Sequence, residues 1–190
     1  MKRLLIPAAA VFIFACRKAP PTVAEPQVPT RAVVAGVAMI DYDAATGEFS
    51  CRAPAEWRTL EDRNLGPRVM FFGPGSAKRP RSVAIAVARY PAGDPIKTPQ
   101  DYWDSMQLSD NTPSPLEARL LNGRTVYALH YEQAQHPPHG YTVLYMNRAD
   151  VVLIPGKDGF FALSHIAPEE DYRTTLPVFD AVVASFQPKS

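Results

Sequence analysis

Histidines 136 and 139 bracket two prolines in His136-Pro137-Pro138-His139. Imidazole nitrogens on one loop are ligands that zinc and copper favour. Two nitrogens do not close a site, however, and the prolines hold the rings stiffly apart. A surface loop is the simpler reading, with zinc or copper as the alternative. His130 and His165 fall in strand-like sequence, where packing or hydrogen bonding suits them better than ligation. Lys78-Arg79-Pro80-Arg81 forms a basic loop that suits lipid phosphate, an acidic partner or plain solvent. Glu61-Asp62 and Glu169-Glu170-Asp171 are acidic, but neighbours in sequence do not make an acid–base pair. The second set suits a helix start, where negative charge is favoured. Cys51 lies between Phe49 and Ala53 and reads as a small core residue. A catalytic thiol would need a base or positive surroundings beside it. No nucleophile elbow, P-loop, zinc-protease helix or dinucleotide fingerprint occurs. The residues therefore predict neither an enzyme nor a cofactor.

The chain that must position these groups has 190 residues, enough for one compact domain with appendages. At 46% hydrophobic and 21% charged it is ordinary globular material. A formal charge of +1 gives no reason to expect nucleic acid as a partner.

The first residues address the location. Lys2 and Arg3 precede an apolar run from Leu4 to Ala15. Positive charge followed by a short apolar run is the anatomy of a secretory signal peptide, and the run falls well short of the roughly 20 residues that span a bilayer. Ile13-Phe14-Ala15-Cys16 resembles the bacterial lipobox, with Phe14 bulkier than usual. That resemblance implies cleavage before Cys16 and a diacylglycerol on its thiol. Two or three acyl chains hold a protein firmly, since each buried methylene contributes about 0.8 kcal/mol. Pro20, Pro21, Pro26 and Pro29 then make an extended, semi-rigid tether. The expected organisation is a signal peptide at 1–15, a lipidated cysteine and tether at 16–35, and one domain at 36–190. It places the protein in a bacterial cell envelope, lipid-anchored, with the domain facing the periplasm or the exterior. Loss of Lys2 and Arg3 shifts the charge from +1 to −1. With Cys16 acylated, Cys51 has no disulfide partner in the chain.

From residue 36 short strands alternate with turns. Val37–Tyr42 and Glu48–Arg52 read as a hairpin around Asp43–Gly47, and Val69–Phe72 as a third strand. In Ser82–Tyr90, Val83, Ile85 and Val87 alternate with Ala84, Ala86 and Ala88. Neither face is polar, which predicts a central strand covered on both sides, its alanine face open to a helix. Thr98-Pro99-Gln100-Asp101 opens a helix to about Leu108, with Tyr102, Trp103 and Met106 buried. Strands are expected at 116–121, 125–132, 141–148, 151–154 and 159–166, with a tight hairpin at Asn122-Gly123. Tyr127 and Tyr131 share one strand face, as do Tyr141 and Tyr145; such a face is usually core. Leu176, Phe179, Val182, Val183 and Phe186 recur at helical spacing. Pro177 is expected in the first turn of that helix and residues 168–173 in a separate turn. Strands with helices laid on them make an α+β domain.

Gly47-Glu48-Phe49-Ser50-Cys51-Arg52-Ala53-Pro54-Ala55-Glu56-Trp57 resembles the opening of PsbP-like domains, a glycine-led strand followed by Pro-x-x-Trp. The valine-rich strand, the Thr-Pro-led helix with Tyr102 and Trp103, the Asn122-Gly123-Arg124 hairpin and the closing Ser185-Phe186 follow in the family's order. The resemblance covers about residues 36–188 and rests on strand order more than on any catalytic motif. It implies an antiparallel sheet flanked by helices, an α/β/α sandwich. It also implies a role in binding or assembly, since most relatives are not catalysts. The expected function is thus a membrane-anchored, non-enzymatic binding or assembly factor for an envelope protein partner, held to membrane lipid by Cys16. Its expected surfaces are the 73–81 loop, with Lys78, Arg79 and Arg81, and the 135–140 loop. The alternative is a metal-binding or metal-delivering protein using His136 and His139.

Overall fold

The computed structural model describes residues 32–62, 68–74, 83–108, 112–137 and 142–189. Their strands form two antiparallel sheets. The smaller holds β1 (Ala32–Val34), β2 (Val37–Asp43), β3 (Phe49–Pro54) and β11 (Gln187–Pro188), in that order across the sheet. The larger holds β4 (Arg58–Asp62), β5 (Arg68–Phe72), β6 (Ala84–Pro91), β7 (Glu117–Leu121), β8 (Arg124–Gln135), β9 (Tyr145–Gly156) and β10 (Gly159–Pro168). Its order is β4-β5-β6-β10-β9-β8-β7. Two helices, α1 (Pro99–Gln107) and α2 (Glu169–Ser185), complete the described elements.

Strand alternation divides the core in two. Ile85, Val87, Phe161 and Leu163 point to one face of the larger sheet, where they meet Val178, Phe179 and Val182 of α2 and Phe49 and Cys51 of β3. Leu129, Tyr131, Val151, Leu153 and Phe160 point to the other, against Tyr102, Trp103 and Met106 of α1. Sheet therefore dominates the α+β domain. The expected single sheet between helices is replaced on one face by a second sheet sharing the cover with α2. Phe186, just past α2, stacks on Phe49 at 5.1 Å and meets Phe161 edge-on at 5.2 Å, locking the helix end between the sheets.

Several expectations change in detail. β1 lies within the stretch read as tether, and β4 was not anticipated. Residue 141 lies outside the described residues, and the strands expected at 141–148 and 151–154 merge into one strand, β9, which begins at Tyr145. Asp150 does not interrupt it, because its carboxylate accepts the Tyr172 hydroxyl. Helix α2 starts at Glu169, absorbing the expected turn, and runs through Pro177. An interior proline costs roughly 3 kcal/mol. Here its ring is exposed, and the neighbouring Val178 and Phe179 are buried, so packing offsets the lost hydrogen bond. The alanine face of β6 is half-buried, and α1 meets it only at Tyr90, lying over Tyr131 and Phe160 beside it. Tyr127 and Tyr131 do share a core face.

The α1 start follows its sequence signal. The Thr98 side chain accepts from the Asp101 backbone N–H at 3.1 Å, and the Asp101 carboxylate accepts from the Thr98 N–H at 2.9 Å. This reciprocal cap satisfies two otherwise orphaned donors. Thr98→Ala is expected to cost about 1 kcal/mol, read as a lower urea midpoint with an unchanged slope.

Candidate functional site

Two places in the domain concentrate polar side chains. The first is a cleft of about 680 Å³ between the smaller sheet and the C-terminal half of α2. Ala32, Val34, Met39, Ala181 and Ala184 supply its apolar lining. Asp41, Asp43, Arg52 and Ser185 supply its polar groups. Their placement follows from the β2–β3 hairpin. Asp41 opposes Arg52 and Asp43 opposes Ser50, so these side chains share the strand face turned away from Phe49 and Ala53. Ser185 is fixed, because its hydroxyl accepts the Arg52 backbone N–H at 2.8 Å and lies 2.7 Å from the Ala181 carbonyl. Asp43 takes the Lys189 ammonium at 2.5 Å, while Asp41 and Arg52 stand 4.0 Å apart and exposed.

The reactive groups at this cleft are disarmed. Cys51 is 5% exposed, and burial, reinforced by Asp43, pushes its thiol up to about 12. Burial, and then donation to Glu61, raises the Tyr42 phenol well above its ordinary range. A thiol held protonated is neither nucleophile nor metal ligand. The cleft presents apolar and charged surface together, and neither its thiol nor its phenol is activated.

The second place lies beneath α2. His130, Asp150 and His165 oppose one another across β8, β9 and β10 and so form a row on the α2 face. His165 is fully buried, between the rings of Phe179 at 5.6 Å and Tyr172 at 5.5 Å. Its Nε2 is 2.9 Å from Thr175 Oγ1, and that hydroxyl donates to the Asp171 carbonyl at 2.8 Å. The hydroxyl proton being committed, Nε2–H donates to Thr175, and Nδ1 is left without a partner. Burial lowers the ring to about 4, opposed in part by Asp150. An Asp, a His and a Thr thus lie close together, as in a nucleophilic triad. Yet the adjoining cavity of about 200 Å³ is lined by His130, Arg148 and Tyr172, not by His165 or Thr175. The cluster positions α2 on the sheet.

The residues singled out in the sequence are placed unevenly. Cys16, Lys78, Arg79, Arg81 and His139 lie outside the described residues. His136 is exposed just beyond β8. Among the described residues, no group of three or more His, Cys, Asp or Glu could hold a metal ion. His165 is the packed, hydrogen-bonded histidine expected, whereas His130 is exposed. Cys51 is the expected core residue. The cleft residues escaped notice, although Asp41 and Asp43 at a spacing of two in a strand already mark a polar face.

No protein-family model matches the chain, and no curated protein matches its sequence. Solved structures do. Cyanobacterial PsbP (CyanoP) from Synechocystis sp. PCC 6803 aligns at 18% identity over 80% of this chain and 92% of that one, with a TM-score of 0.53. The domain therefore has the PsbP-like fold. The Ran-binding protein Mog1p of Saccharomyces cerevisiae aligns at 12% identity over 80% of this chain and 96% of its own (TM-score 0.49). LpqN of Mycobacterium tuberculosis, involved in cell envelope biogenesis, does so at 12% over 85% and 99% (TM-score 0.45). The last two are too distant to extend the fold assignment.

Proposed function

We propose that this chain is an envelope lipoprotein, anchored through acylated Cys16, whose domain binds and helps assemble a protein partner without catalysing a reaction. The observation that carries the binding role is the cleft between the smaller sheet and α2. It combines an apolar lining with Asp41, Asp43 and Arg52, while its one thiol is buried and held protonated. Its lining is about evenly polar and apolar, more polar than a typical small-molecule pocket, which suits a protein surface carrying both charged and apolar groups. The PsbP-like fold supports the reading only as far as a shared scaffold can, because function resides in sites and not in folds. The anchor rests on the sequence before residue 16. Among the described residues no helix is long and apolar enough to cross a membrane.

The test is a photo-crosslinking side chain at Ala184, expressed in the native envelope. A discrete protein adduct is expected, lost when Ala181→Trp fills the cleft. An adduct indifferent to Ala181→Trp, or none, overturns the site. Intact mass of the extracted protein, with Cys16→Ala as control, tests the anchor: an unlipidated mature chain sinks it. Saturable zinc or copper binding that disappears in a His136→Ala, His139→Ala variant would replace assembly with metal delivery.

A further inference from the structure

The larger sheet ends at β7, whose outer side pairs with no described strand. Glu117, Ala118, Arg119 and Leu120 are all exposed, Leu120 at 77%. An exposed edge is a template for another strand unless charge, proline or a covering segment blocks it. The opposite edge, β4, is engaged: its Glu61 accepts from the Tyr42 hydroxyl and the Ala45 N–H. β7 has no such cover among the described residues.

Its sequence says what would fit. Leu116-Glu117-Ala118-Arg119-Leu120 is self-complementary when laid antiparallel on itself about Ala118. Leu116 then opposes Leu120 of the other copy, Glu117 opposes Arg119, and Ala118 opposes Ala118. Backbone geometry selects the same register. β7 and β8 join through the two-residue turn Asn122-Gly123, with φ +49° and +80°, which makes Leu121 and Arg124 a hydrogen-bonded pair. Pairs alternate along an antiparallel ladder. Leu121, Arg119 and Glu117 therefore spend their backbone groups on β8, and Leu120 and Ala118 present theirs outward. Centring on Ala118 sets its outward backbone groups against those of the other copy's Ala118. It also puts Glu117 and Arg119 in the closer, non-hydrogen-bonded pairs, where opposite charges stabilise and like charges destabilise. Arg119 pairs with its own strand's Glu117 at 3.0 Å and lies close enough to Asp180 to act on its charge. Half-buried Leu116 already packs on the α1-side core, so the incoming Leu120 would extend that surface.

We propose that β7 is a self-association edge, through which two copies of this chain pair antiparallel about Ala118 and join their larger sheets. The ribbon is short, well below the roughly 1,200 Å² of a standard stable interface. The dimer is accordingly weak in solution and favoured where copies are crowded. This inference is independent of the cleft and of its partner.

The test uses the full chain at high concentration. Ala118→Cys brings two thiols together across the two-fold axis, at a Cα separation of about 5.5 Å that a disulfide can bridge. The parent chain, retaining Cys16 and Cys51, sets the background, and Thr125→Cys on the neighbouring strand reports random collision. Mild oxidation is expected to link the Ala118→Cys chain well above both controls. Adding Glu117→Arg or Arg119→Glu should cut the yield about tenfold, because each places like charges opposite one another twice. Mixing those two variants should restore it, since each then supplies the charge the other lacks. That recovery also excludes misfolding as the cause of loss. Equal yield at Thr125→Cys, yields unmoved by the charge reversals, or no recovery on mixing would each overturn the proposal.

Discussion

Gly159→Ala is expected to lower the stability of the domain by about 3 kcal/mol or more, the range of a substitution that forces backbone apart in a core. Gly159 opens β10 at φ +106°, opposite both Pro91 of β6 and Gly156 of β9. A methyl group there would fall on the Tyr90 carbonyl oxygen and within 3.0 Å of the Pro91 backbone. Neither obstacle is a flexible side chain, so relief requires separating two central strands. Gly123→Ala supplies the comparison. Its φ is similarly positive, at +80°, but nothing lies within 4 Å of the added carbon. Conformational strain alone then acts, worth about 1 kcal/mol. Urea unfolding of the two variants should separate them clearly, and equal losses would show that close approach at Gly159 is unimportant.

Acidification is the second large effect. The ordinary histidine value is 6.5, and burial holds His165 at about 4 in the folded domain. Between these values the unfolded chain binds a proton that the folded one does not. Stability from this group is therefore complete above pH 6.5, falls as pH drops through the window, and falls no further below 4. At 1.36 kcal/mol per unit, the loss from about pH 7 to pH 5 is about 2 kcal/mol. Asp150, Tyr172 and Thr175 face the ring, and the phenol and hydroxyl stay neutral in that range. His165→Leu, which keeps bulk and removes titration, should flatten the stability profile between pH 5 and 6.5 relative to the parent chain. Parallel profiles would mean that the ring takes up its proton without disturbing α2.

The contrast between these sites explains what the sequence disclosed. Turn and cap chemistry was legible because it is local. Thr98, Pro99 and Asp101 declare a helix start within four residues, and Asn122-Gly123 declares a hairpin in two. The β6 alternation was also legible, though not that α1 meets its alanine side only at the Tyr90 end. What covers a face depends on residues far away in the chain. The second sheet was hidden for the same reason, since β11 is two residues long and meets β3 across more than a hundred residues. Asp150 misled because a lone acid in an apolar run reads as a break; its partner, Tyr172, lies 22 positions on. The cleft combines β1, β2, β3 and the end of α2, so no single stretch announces it.

The arrangement of the smaller sheet sets an order of events. β3, among the first strands, is finished by Gln187 and Pro188, and Lys189 reaches back 146 positions to Asp43. Phe186 fills the space between Phe49 and Phe161. A chain delivered amino end first must wait for residues 186–189 before that sheet can close. Until then Phe49, Phe161 and the apolar face of β3 have no lid. The delay leaves the chain sticky, so truncation near residue 185 would yield a chain whose β3 face stays open and which proteases cleave faster than the full chain.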